Sequence, residues 1–187
     1  MKIKKSKIFN IAIVVVIALL IIPQTAKPIK IGIHKIFGMF GPSVVAEKNR
    51  TVLKDYNWRL SNNKNQAYNL NEAKGKVVFV NLWATWCPPC IAEMPSMQDL
   101  YNDYKDKVAF LFVSNESPTK VQSFLERKKY SLPSFLPLSE MPEELYSRTI
   151  PATYIIDKNG TIVIDKKGAA NWNASSVRSL LDRLILE

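Results

Sequence analysis

The sequence predicts an α/β domain built on a central mixed β-sheet with helices packed against it, and three observations predict it. Lys76-Val77-Val78-Phe79-Val80-Asn81-Leu82 is an apolar, β-branched run that starts just after Gly75, the pattern of a strand buried on both faces. Past a short turn, Ile91 to Tyr104 carries Ile91, Met94, Met97, Leu100, Tyr101 and Tyr104 at the spacing of one helical face. Late in the chain, Ala152–Asp157 and Thr161–Asp165 flank Asn159-Gly160, a strong short-range hairpin signal. A strand that feeds a helix and a later antiparallel pair together require a mixed sheet.

From the N-terminus, Lys2, Lys4, Lys5 and Lys7 form a basic stub over residues 1–7, and Ile8 to Ile22 follows with Asn10 as its only polar member. Such a run is a signal peptide or a signal anchor. Gln24 occupies the −3 position if Ala26 is −1, so no small-x-small cleavage site follows, and no lipid-accepting cysteine is present. The expectation is an uncleaved transmembrane anchor over 8–22, with the lysines cytoplasmic and the rest of the chain outside. Residues 23–50 read either as a stretched linker or as a basic, apolar segment lying in the membrane interface. His34, the only histidine, belongs to that stretch and receives no role.

The folded domain is expected over 51–187, a length suited to one core of ordinary size. Trp58-Arg59-Leu60 and Tyr68-Asn69-Leu70, separated by a polar run, predict an N-terminal hairpin. Val108 to Ser114 predicts a second buried strand, Pro118 to Lys129 a helix opened by Ser117, and Met141 to Arg148 a short helix. Ala174 to Leu186 closes the chain as an amphipathic helix with Val177, Leu180, Leu181 and Leu184 on one face. Pro95 should kink the long helix. The triplets beginning at Asn115, Asn159 and Asn173 match the glycosylation pattern, but turn and cap chemistry accounts for these residues.

The formal net charge is +10. It is unevenly spread: residues 1–50 carry nine Lys/Arg against one Glu, while residues 51–187 carry 17 against 15. Basicity is therefore a feature of the membrane-proximal segment, and the near-neutral domain lacks the basic stripe that nucleic-acid binding needs.

Both cysteines lie in Trp86-Cys87-Pro88-Pro89-Cys90. Zinc normally takes four Cys, His or carboxylate ligands, and the only histidine is far upstream. A structural disulfide would close too small a loop to gain much chain entropy. Redox chemistry remains. Pro88 and Pro89 suit a helix start, where a missing N–H costs nothing. Cys87 then falls at the N-cap and Cys90 one turn on. The helix dipole and unpaired N–H groups favour a thiolate at Cys87, which makes it the attacking sulfur and Cys90 the one that resolves the mixed disulfide.

These residues carry a resemblance. Gly75 through Cys90, then Glu93-Met94-Pro95, together with Arg148 through Asp157, resemble the membrane-anchored thioredoxin-like thiol-disulfide oxidoreductases of the TlpA/ResA type, from about Val52 to the C-terminus. The resemblance implies a thioredoxin-like fold on a single-pass protein of the bacterial inner membrane, its Cys87–Cys90 pair cycling between dithiol and disulfide toward the periplasm or exterior. It also implies a cis bond at Ile150-Pro151 facing the cysteines. The Ile150 backbone would then be free to pair with an extended substrate, beside an apolar platform at Trp86 and the Pro88-Pro89 surface; Trp83 reads as a core aromatic. Asn81 stands where ordinary thioredoxins carry a buried Asp. Glu93 matches a family glutamate and is expected to accept and return the proton of the resolving thiol. Sulfur alone carries the exchange, so no nicotinamide, flavin or metal is implied. Implied partners are exported proteins with thiols or disulfides, apocytochrome c among them, and a membrane thiol-electron donor; the expected direction is reductive. A copper-binding chaperone, a thiol peroxidase and a non-catalytic docking module are the alternatives left open.

Overall fold

A computed structural model describes residues 41–187 of the chain. Among them, β1 (Arg59–Asn62), β2 (Ala67–Asn69), β3 (Val77–Leu82), β4 (Val108–Val113), β5 (Ser134–Pro137), β6 (Ala152–Ile156) and β7 (Ile162–Lys167) join in one sheet of order β2-β1-β5-β4-β3-β6-β7. The helices are α1 (Pro88–Tyr104), α2 (Pro118–Lys128) and α3 (Ser175–Leu186).

The parallel pairs β3/β4 and β4/β5 are linked through α1 and α2, and right-handed crossovers of this kind place both helices on the same face. Helix α3 joins them there. Phe79, Phe112 and Ile155 of the sheet pack against Met94, Met97 and Leu100 of α1, Val121 and Phe124 of α2, and Leu181 and Leu184 of α3. The opposite face, with Val78, Val80 and Leu82, is covered by Leu53, Trp58, Leu70, Ala73 and Leu145.

Register fixes what can meet on the helix-covered face. Asn81 of β3 stands opposite Phe112 of β4 and Thr153 of β6, and Thr153 stands opposite Lys166 of β7. Directly opposed residues point to the same side, so these four form one transverse row, one step beyond the apolar row of Phe79, Ile155 and Ile164.

Two elements depart from the sequence expectation. The short helix expected over Met141–Arg148 is a single 3-10 turn at Glu143–Leu145. Pro142 biases Met141 away from helical geometry, and Tyr146 is extended at φ −67° and ψ 133°. Strand β5 was not foreseen, because Pro133 and Pro137 demote Ser134-Phe135-Leu136 as a strand. It lies inside the sheet all the same, pairing with β4 only at Phe112–Ser134 and Val113–Phe135. Helix α1 runs unbroken through Pro95, whose ring faces outward.

The last ten residues of the stretch expected to be linker, 41–50, run on into Leu53 alongside β7. Val45 N–H donates to Val163 O at 2.9 Å, Ile162 N–H to Thr51 O at 2.8 Å and Leu53 N–H to Gly160 O at 2.9 Å. The expected anchor at 8–22 and His34 lie outside the described residues. Among the described residues, no helix is long and apolar enough to cross a membrane.

Candidate active site

Strand β3 ends at Leu82 and the chain turns through Trp83 to Trp86 onto the start of α1. Cys87 is the N-cap, with φ −89° and ψ 105°, followed by prolines in the first turn. Cys87 and Cys90 are joined as a disulfide with Cα atoms 5.3 Å apart. The Cys90 N–H donates to Cys87 Sγ at 3.3 Å, so a helix-terminal donor already points at the sulfur that would become a thiolate. Cys87 holds the expected N-cap position, but not an exposed one. Instead both cysteines are buried, at 3% and 1% exposure. Cys87 Sγ lies 3.8 Å from the Ile150 carbonyl oxygen, at the cis Ile150-Pro151 bond, so the loop before β6 shields it.

Glu93, one turn past Cys90 on α1, has no place on the helix surface: it is 2% exposed. Asn81 Nδ2 donates to its Oε1 at 3.1 Å, Trp172 Nε1 to its Oε2 at 2.8 Å, and Ala170 N–H to Oε2 at 3.2 Å. Asn81 Nδ2 also donates to Thr153 Oγ1 at 2.8 Å. Burial pushes the Glu93 carboxyl up from 4.5 to about 8, against the opposing pull of the donors from Trp172, Ala170 and Asn81 and of the Lys166 charge. The group can therefore hold or release a proton near neutral pH, which suits a general acid or base.

The turn before Cys87 is tied down by Glu116, in the loop between β4 and α2. Thr85 N–H donates to Glu116 Oε2 at 2.6 Å and Thr85 Oγ1 to Oε1 at 3.0 Å, while Lys120 Nζ reaches Oε1 at 2.5 Å. Burial alone would raise this carboxyl, but the Lys120 and Thr85 hydrogen bonds together hold it below its ordinary value. Beside it opens a groove of about 760 Å³ lined by Trp83, Trp86, Glu116, Met141, Tyr146 and Ile150, among others. Trp86 and Tyr146 are exposed and Trp83 is buried.

The structure thus gathers Trp86, Cys87, Pro88, Pro89, Cys90, Glu93, Ile150 and Pro151 at one end of the sheet. Sequence reasoning missed Thr153, Ala170, Trp172 and Glu116. No local signal marks Ala170 and Trp172 as partners of Glu93 or Thr153 as the partner of Asn81, since these contacts close over 72 to 79 residues.

Fold and site define a class: a thioredoxin-like domain with a dithiol-disulfide pair at the N-terminus of the helix after its central strand. The chain belongs to the AhpC/TSA family, whose model matches residues 51–164. It is similar to the thioredoxin-like protein YneN of Bacillus subtilis, 36% identical over 97 residues, covering 50% of this chain and 57% of that protein. It is also similar to the thiol-disulfide oxidoreductase ResA of Halalkalibacterium halodurans, 37% identical over 110 residues, 57% of this chain and 62% of that one. The matches therefore span about three fifths of these relatives' length. Among solved structures, a candidate thiol-disulfide oxidoreductase from Bacteroides vulgatus superposes with a TM-score of 0.59 at 26% identity, over 74% of this chain and 99% of that one.

Proposed function

We propose that this protein is a thiol-disulfide oxidoreductase of the ResA kind, anchored in the bacterial inner membrane by residues 8–22, that reduces disulfides of exported proteins outside the cytoplasm. The observation that carries the reading is the Cys87–Cys90 pair at the N-terminus of α1, with the Cys90 N–H on Cys87 Sγ and the buried Glu93 one turn on. Cys87 attacks the substrate disulfide as a thiolate. Cys90 gives up its proton, attacks Cys87 Sγ and releases the reduced substrate. Glu93 takes that proton. The Ile150 carbonyl beside the sulfur and the groove at Trp86 and Tyr146 supply a backbone acceptor and apolar walls for an extended substrate segment, and Pro88, Pro89 and Pro151 are the further residues assigned to substrate contact. Apocytochrome c cysteines are the substrate the resemblance points to, a membrane thiol donor would regenerate the dithiol, and sulfur chemistry requires no added cofactor.

The test is trapping. Cys90→Ser should accumulate a mixed disulfide through Cys87 with a protein disulfide substrate such as insulin, and Cys87→Ser should abolish exchange. Trapping by Cys87→Ser alone would reverse the roles, and failure of the native protein to reduce insulin with dithiothreitol would reject the reading. Tight copper binding by the reduced protein that blocks exchange would instead favour a chaperone. Rapid hydrogen peroxide turnover would favour a peroxidase.

A further inference from the structure

Lys166 is a charged residue on the face of the sheet that the helices cover. It lies on the helix-covered face of β7, one row beyond Ile164, in the transverse row Phe112, Asn81, Thr153, Lys166. Phe112, Asn81 and Thr153 are each 1% exposed, while Lys166, on the outer strand, is half-buried. One hydrogen bond runs along that row and one leads out of it to the acid: Asn81 Nδ2 donates to Thr153 Oγ1 and to Glu93 Oε1. A lysine here can lay its aliphatic stem over the sheet and keep its ammonium at the rim.

The other charges near Glu93 are engaged elsewhere. On β7 itself, Asp165 and Lys167 project to the opposite face and pair with each other at 2.8 Å. Helix α1 has no acidic residue in its first turn. Helix α3 presents Val177, Leu180, Leu181 and Leu184 to this core, and its Arg178 pairs with Asp103. The loop after β7 contributes the Ala170 and Trp172 N–H groups, and β3 and β6 contribute the uncharged Asn81 and Thr153. Among the described residues, Lys166 forms no salt bridge, and its charge favours the ionised form of Glu93.

We propose that Lys166 is a positioning residue for thiol-disulfide exchange: through the Thr153-Asn81 row its positive charge favours the Glu93 carboxylate, making Glu93 a better acceptor for the Cys90 proton. The inference rests on the exchange reading above. In the step concerned, Cys90 S–H gives its proton to the carboxylate and its sulfur forms the bond to Cys87 Sγ. The Cys87–substrate S–S bond breaks, and the substrate leaves with the electron pair as a thiolate. The cysteine pair is oxidised by two electrons and the substrate disulfide reduced by two. Without Lys166, the carboxylate form becomes scarcer at neutral pH and this step slows there.

The experiment compares the native full chain with Lys166→Met and Lys166→Arg. Single-turnover oxidation of the dithiol by a peptide disulfide is followed from pH 5 to 9. Lys166→Met should move the midpoint of the profile upward by about half a pH unit, a roughly threefold loss of rate at pH 7, with the rate recovering at high pH. Lys166→Arg should restore the native midpoint. A profile that overlays the native one, or a rate lowered equally at every pH, overturns the proposal.

A second readout is independent of exchange. In the oxidised protein, the pH dependence of Tm reports Glu93 titration, and Lys166→Met should extend its decline to higher pH. Identical pH slopes overturn the proposal. If the slopes differ while the native protein performs no exchange, the Lys166–Glu93 coupling stands and the oxidoreductase reading falls.

Discussion

Glu93 accepts hydrogen bonds from Asn81, Ala170 and Trp172, and each of them favours the ionised carboxylate; burial nevertheless outweighs them and raises the group to about 8. The folded state therefore keeps a proton that the unfolded chain, near 4.5, releases. Stability from this group is fully present below pH 4.5 and is lost as pH climbs toward 8. Glu93→Gln should remove that loss, so Tm of the oxidised variant, relative to the native protein, should rise progressively between pH 5 and 8. The amide can be accommodated by turning Asn81, whose oxygen then accepts from the new N–H while one Gln oxygen serves Trp172 and Ala170. Parallel Tm curves across that range would mean that Glu93 does not titrate there. In exchange, the same variant should slow disulfide reduction on the order of 10²-fold, the scale of a positioned acid-base group.

At the scale of elements, the β6–β7 hairpin shows how local chemistry sets register. Asp157 Oδ1 accepts from the Asn159 and Thr161 N–H groups at 2.9 and 2.7 Å, and Gly160 sits at φ +87°. A Cβ there would stand 2.7 Å from the Tyr56 hydroxyl. Gly160→Ala thus combines left-handed strain with a clash and should cost about 1–3 kcal/mol, read by urea unfolding. A loss below about 0.5 kcal/mol would show that Tyr56 swings away and the strain is absorbed. The active-site helix rests on an equally local signal: prolines fill its first turn, as their residue type favours, and this sets Cys87 at the cap. The proline-flanked β5 and the 3-10 turn at Glu143–Leu145 depart from local preference because neighbours decide them. Strand β5 is held between β1 and β4, and the Tyr146 carbonyl is taken by the Tyr154 hydroxyl at 3.3 Å.

For the whole molecule, the segment before β1 closes one edge of the sheet. Leu53 is 3% exposed, and the stretch from Val45 to Leu53 pairs with Gly160, Ile162 and Val163. A chain that begins at Gly41 should be stable and monomeric. One that begins at Asp55 loses a buried leucine and these hydrogen bonds, and should be less stable by at least about 2 kcal/mol. It should also self-associate through the uncovered β7 edge. Equal urea midpoints and equal monomer populations in sedimentation would show that the segment is dispensable.

Sequence alone determined the features that depend on near neighbours. These are the buried β3 run, the helix N-cap at Cys87, the spacing that brings Cys90 onto the same face, and the Asn159-Gly160 turn. Each follows from periodicity, capping or backbone freedom within a few residues. Tertiary structure decided the rest. Whether Glu93 is a surface residue or a buried acid depends on Trp172 and Ala170, brought to it by the strand order and the loop after β7. Cys87 is enclosed because the Ile150-Pro151 loop lies over it, and Lys166 falls on the same face of the sheet as Asn81 and Thr153 because β6 and β7 pair in one register and not its neighbour. A slip of one residue would turn that lysine to the other face, and nothing in the local sequence of β7 records which face carries the acid.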